Sequence, residues 1–225
     1  MTPTREKETS LTTSAAWKLE WSKPAFRYQS FFCVAVLLMF ATCIGYFFDF
    51  IESRQGDLLN DPILERIPSH DVSWLIFFIL YLSLFMGLST NRSKPRLILL
   101  AFQTYCLVTL MRVLSIYLLP LEPPNGYIPL REPFVSLFTD DGKIISKDLF
   151  FSGHVSTIMS LFLTVRQRLI RSILSVFVFV LCMLLLVQHV HYTIDLLVSV
   201  PATWLCYLFS KRILQKKFLE QKSIV

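Results

Sequence analysis

Two histidines and two aspartates stand at the ends of apolar segments in this 225-residue chain, in the runs Asp148-Leu-Phe-Phe-Ser-Gly-His154 and His191-Tyr-Thr-Ile-Asp195. The i, i+4 spacing of His191 and Asp195 brings their side chains together on a helix. A carboxylate beside an imidazole keeps one ring nitrogen protonated. The other nitrogen is then free to attack phosphorus or to take up a proton. His154 follows Ser152-Gly153, a pair that opens a helix and leaves backbone N–H groups free to receive a phosphate oxygen. There it is the natural general acid for a leaving group. Arg112 offers a guanidinium that can clamp a phosphate bidentately, or that pairs with Asp49 or another inward-facing acid. The competing reading is that these polar groups only stitch helices together by hydrogen bonds. What favours chemistry is that all of them fall on one level of the molecule.

That level follows from the apolar runs. With 54% hydrophobic and 17% charged residues and a mean hydropathy of +0.55, the chain is too apolar for a soluble domain of its size. Six runs approach or exceed the roughly 17–25 residues that cross a bilayer: residues 30–50, 73–89, 96–119, 149–165, 172–190 and 193–209. They lack period-2 alternation, which excludes a lipid-facing barrel and predicts helices. Sixteen Lys and Arg residues fall in the arm, the tail and the even-numbered connections, against five in the other loops. This bias predicts both termini in the cytosol and an even number of spans. His154, His191, Asp195 and Arg112 then share the outward rim, where ionisable groups are costly and by default functional.

The expected organisation is one all-α, polytopic unit: an arm (1–28), a six-span body (29–210) and a basic tail (211–225). The net charge of +6 is distributed like the loop charges of a membrane protein, so nucleic acid is not an expected partner. Cys33, Cys43, Cys106, Cys182 and Cys206 all lie within apolar runs and predict no disulfide framework. There is no Cys-x-x-Cys pattern, and a His189-x-His191 pair diverges at i, i+2, so no metal is expected.

The Ser152-Gly153-His154 and His191-Tyr-Thr-Ile-Asp195 motifs, with Asp148 heading the first run, resemble the sphingomyelin synthase family within the lipid phosphate phosphatase superfamily. The resemblance extends to Arg112, Tyr117 and Leu119-Pro120 upstream. Looser echoes lie in the first outward loop, around Pro62-Ile-Leu-Glu-Arg-Ile-Pro68. It implies six spans and an active site on the exoplasmic, periplasmic or lumenal side. It also implies His191 as nucleophile oriented by Asp195, with His154 as acid and then base. Asp148 and a loop acid help set these groups, and Glu132 is the candidate for that acid, ahead of Glu122. Arg112, Ser152, Gly153 and Tyr192 are the candidate substrate contacts. The phosphatase branch carries a Lys-x6-Arg-Pro element and a Ser-Arg pair before its second histidine. Here positions 184 and 185 are leucines.

The expected function is therefore transfer of a phospho-headgroup, of phosphocholine or phosphoethanolamine type. It would pass from a glycerophospholipid to a lipid alcohol such as ceramide or diacylglycerol, through a phosphohistidine and without a cofactor. The expected partners are the two lipids and the bilayer; oligomeric state stays open. The alternatives are hydrolysis of the same bond, as a lipid phosphatase or phospholipase C, and a non-catalytic lipid-binding membrane protein.

Overall fold

The computed structural model describes residues 12–131 and 145–222. These residues form seven α-helices in order: α1 (Thr13–Trp21), α2 (Pro24–Ser53), α3 (Ser73–Asn91), α4 (Pro95–Leu118), α5 (Gly153–Thr164), α6 (Arg168–Val187) and α7 (Thr193–Lys222). A 3₁₀ turn, Leu64–Arg66, lies between α2 and α3. No strand forms among the described residues, where the extended pairing is limited to one bridge between Asp57 and Leu121. The protein is an all-helical, polytopic membrane protein.

Among the described residues, five helices are long and apolar enough to cross a bilayer: α2, α3, α4, α6 and the Thr193–Leu214 part of α7. The fourth expected span differs. Its helix has 12 residues, about 18 Å at the ordinary helical rise, and cannot cover a hydrocarbon core of about 30 Å alone. Residues 149–152, expected as its first turn, are not helical. Phe150 and Phe151 instead take left-handed φ values of 67° and 99°, which bulky side chains rarely adopt. Burial in protein permits this. Leu149 and Phe151 are 2% exposed, the Ser152 N–H donates to Ser199 Oγ at 2.7 Å, and irregular backbone at membrane depth survives where protein satisfies it. α5 is accordingly the inner helix, packed against α3, α4, α6 and α7, while α2 lies outside against α4.

Residues read as an arm and a tail carry helices too. α1 lies within the first 28 residues, where the Trp17 Nε1–H donates to the Arg92 carbonyl at 2.8 Å and Glu20 pairs with Lys23 and Arg96. α7 runs on through residue 222.

The loops that follow α2, α4 and α6 meet one another. Three carboxylates and one amide tie the loops there. Glu52 accepts the N–H groups of Ser146 and Lys147 and the Ser146 hydroxyl. Glu122 accepts Lys147 Nζ at 2.7 Å and the Gly56 N–H at 2.8 Å. Asp71 accepts the Ser73 N–H and hydroxyl, capping α3. Gln188, fully buried, accepts the Val72 N–H and donates to Asp71, Ser73 and the Ile128 carbonyl. In lipid-facing surroundings each such group left unpaired is costly, so these ties hold the rim together.

Candidate active site

The turn between α6 and α7 is built from two helix caps placed back to back. α6 ends in a Schellman arrangement: the Val190 N–H donates to Leu185 O at 3.3 Å and the His189 N–H to Leu186 O at 3.0 Å. His189 takes the left-handed position (φ 55°) that glycine usually fills. Its ring replaces what glycine would supply in freedom with two contacts, Nδ1 to the Asn125 carbonyl at 2.7 Å and Nε2 to the Ile67 carbonyl at 2.8 Å. α7 then starts with Tyr192 before its first residue, and Asp195 at the third helical position turns back to accept the Tyr192 N–H at 3.1 Å. This is the acidic half of a capping box.

The capping oxygen also holds His191. Asp195 Oδ2 lies 3.2 Å from His191 Nδ1. Facing a carboxylate, Nδ1 is the ring nitrogen placed to donate, which turns Nε2 away from Asp195. Both side chains are buried, Asp195 completely. The second oxygen, Oδ1, is buried without a hydrogen bond among the described residues. Ser199, one turn on, accepts the Ser152 N–H and donates to the Asp195 carbonyl. That link joins the start of α5 to the start of α7, and so His154 to His191. His154 is half-buried, packed edge-to-face on Phe77 with ring centroids 5.7 Å apart.

Arg112 reaches this point from α4. Its Nη2 donates to both Asp148 oxygens, at 2.5 and 2.6 Å, and its Nε to the Phe151 carbonyl at 3.2 Å. Its other terminal nitrogen lies where Gly153 would carry a side chain: a Cβ there would stand 2.5 Å from Nη1. Gly153 is thus the one residue type that lets the guanidinium sit on the N-terminus of α5. The Gly153 and His154 N–H groups and Arg112 Nη1 have no hydrogen-bond partner among the described residues. Together with the positive end of the helix dipole they make a cradle that can receive an anion.

The other expected site residues are placed as follows. Ser152 is fully buried, and its Oγ accepts the Val155 N–H as the α5 cap. The Tyr192 hydroxyl donates to the Glu122 carbonyl at 2.9 Å and accepts the Leu59 N–H at 3.2 Å, tying two loops. Asp148 faces Arg112, and Glu132 lies outside the described residues. Sequence reasoning passed over Gln188 and Asp61. Asp61 accepts the Ile63 and Leu64 N–H groups and both donors of Thr193. Its signal was an Asp-Pro pair one step before a short apolar turn.

Residues 147–212 match the family model described as PAP2 superfamily C-terminal. The match spans the Asp148 run and its histidine, the α6–α7 turn and the expected spans 4–6. It supports the lipid phosphate phosphatase superfamily and thereby a phosphatase or phosphotransferase type of lipid enzyme. It does not select the sphingomyelin synthase branch. No curated protein matches the chain. Among the described residues no cluster of three or more His, Cys, Asp or Glu is spaced to hold a metal.

The loop carboxylates carry an acid sensitivity. Burial works to raise Asp61, but the donors of Thr193, Leu64 and Ile63 outweigh it and hold the carboxyl below its usual range. The Ser73 hydroxyl and N–H hold Asp71 down, and Lys147 does so for Glu122. Folded-state values below unfolded ones mean that this stabilisation is complete above about pH 5 and is lost as pH falls through about 4 and below. Hydrogen exchange at pH 3.5 against pH 7, corrected for intrinsic rates, is therefore expected to show residues 56–72 and 120–131 opening before the cores of α5 and α6.

Proposed function

We propose that the protein is a membrane phosphotransferase. It moves a phospho-headgroup of phosphocholine or phosphoethanolamine type from a glycerophospholipid to a lipid alcohol, such as ceramide or diacylglycerol. The carrying observation is the buried His191–Asp195 pair, in which Nδ1 faces the carboxylate and Nε2 is turned away from it, close to His154 and the Arg112–Gly153 cradle.

In the first step Nε2 attacks phosphorus and a P–N bond forms. The bond from phosphorus to the glycerolipid oxygen breaks, and His154 delivers a proton to that oxygen. The Nδ1 proton stays on His191, stabilised by Asp195. In the second step His154 takes the proton of the acceptor hydroxyl, whose oxygen attacks phosphorus, and the P–N bond breaks. Arg112 Nη1 and the first N–H groups of α5 stabilise the charge growing on the phosphoryl oxygens. Asp148 aims Arg112, with Ser152 and Tyr192 holding the cradle and the turn in place. The sixteen-to-five charge bias supports an active site on the exoplasmic, periplasmic or lumenal side. Leucines at 184 and 185, where the phosphatase branch carries Ser-Arg, favour transfer over hydrolysis.

The test uses purified protein in nanodiscs with headgroup-labelled phosphatidylcholine or phosphatidylethanolamine, with and without ceramide or diacylglycerol. Label recovered on the acceptor lipid supports transfer. Label recovered only as a water-soluble phosphate ester assigns hydrolysis, and no release under any condition overturns the enzymatic reading.

A further inference from the structure

Helix α7 has no N-cap side chain of its own that serves its first amides. Tyr192 holds the N-cap position, where Ser, Thr, Asp or Asn would supply an oxygen to the first amides. Asp195 turns back to Tyr192 and His191, so it does not serve those amides. The oxygen comes from another loop. Asp61 Oδ2 accepts the Thr193 N–H at 2.6 Å and Oδ1 accepts the Thr193 hydroxyl at 3.0 Å. The same carboxylate caps its own 3₁₀ turn, taking the Ile63 and Leu64 N–H groups at 3.1 Å each. One side chain thus fixes the first outward loop and the first residue of the helix that carries Asp195.

We propose that Asp61 is a positioning residue for His191, acting as a helix cap supplied in trans. The inference rests on the reading of His191 as nucleophile. Thr193 stands two residues after His191 and two before Asp195, so its amide lies within the segment that sets the angle between ring and carboxylate. Asp61 touches no reacting atom. Without it the first turn of α7 frays, Asp195 moves with the turn, and the attack line of Nε2 is lost.

The expected signature is a fall in kcat of roughly 100-fold in Asp61→Ala, as for a nucleophile misplaced by about 1 Å. KM should stay within about threefold, because the substrate contacts are untouched. Asp61→Asn offers one carbonyl oxygen where two carboxylate oxygens are used, so it should fall between wild type and alanine. It also keeps a cap for the 3₁₀ turn, which preserves a folded test protein if alanine does not accumulate.

The experiment pairs label-transfer kinetics on full-length protein in nanodiscs with hydrogen exchange over residues 190–198, which needs no substrate. Support is faster exchange in 190–198 with α6 still protected, together with the kcat loss in the order wild type, Asn, Ala. Unchanged exchange and unchanged kcat in Asp61→Ala overturn the proposal, as does a rise in KM at constant kcat. If wild type carries no label to acceptor and forms no phosphohistidine, the functional reading fails. The exchange data then still decide whether Asp61 caps α7.

Discussion

His191→Ala is expected to abolish transfer, with turnover down by at least about four orders of magnitude and no labelled enzyme trapped by a denaturing quench at alkaline pH. The nucleophile of a covalent mechanism has no substitute in the site. The fold should survive. Among the described residues His191 makes one side-chain hydrogen bond, to Asp195 Oδ2, and the same oxygen keeps the Tyr192 N–H in the mutant. His154→Ala gives the contrast. Losing the acid slows departure of the glycerolipid oxygen by about 10²- to 10⁴-fold, while Nε2 stays able to accept the phosphoryl group. Labelled enzyme should then form slowly in His154→Ala and never in His191→Ala. Equal labelling of the two variants would contradict the division of roles.

Arg112→Ala carries the next largest effect, a loss of about 10²- to 10³-fold in kcat/KM. That is the usual consequence of removing one preorganised donor from a site of developing negative charge. Arg112→Lys should restore little. An ammonium cannot span both Asp148 oxygens and the Phe151 carbonyl and still present a free N–H to the cradle. Gly153→Ala tests the same geometry without altering a charge. Its Cβ would stand 2.5 Å from Nη1 and 2.8 Å from Cζ of a guanidinium held by Asp148 and Phe151. The guanidinium must move off the helix N-terminus, and activity should fall at least about tenfold. Activity within twofold of wild type for both Arg112→Ala and Gly153→Ala, measured as initial rates of label transfer, would remove Arg112 from the phosphate site.

Hydropathy located the five long apolar helices among the described residues, because lipid-facing helices must be apolar along their length whatever they pack against. It misplaced the start of α5. Leu149, Phe150 and Phe151 are as apolar as the turn that follows, but their burial is inside protein, and hydropathy does not separate the two environments. The His191–Asp195 contact was legible because i, i+4 is local geometry. The Arg112–Asp148 pair was not, since the partners are 36 residues apart and Asp49 was as good a candidate on the sequence. Asp61 and Gln188 escaped for the same reason. Each satisfies backbone amides of a different segment, and nothing in the local pattern around Asp61 names Thr193. The left-handed His189 escaped because the position usually asks for glycine. Here the ring lies between the Asn125 and Ile67 carbonyl oxygens, and a hydrogen bond donated to one of them helps offset the backbone cost.

The most direct test of the account follows the label through His191. Protein in nanodiscs is mixed with phosphatidylcholine carrying label in the phosphate, without acceptor, quenched and mapped for modified residues. Ceramide or diacylglycerol is then added to a parallel sample. The account predicts an acid-labile label on the peptide containing His191, which disappears as the same label arrives on the acceptor lipid. Transfer to acceptor with no label ever on that peptide, or labelled phosphate released to water at the same rate with and without acceptor, would contradict it.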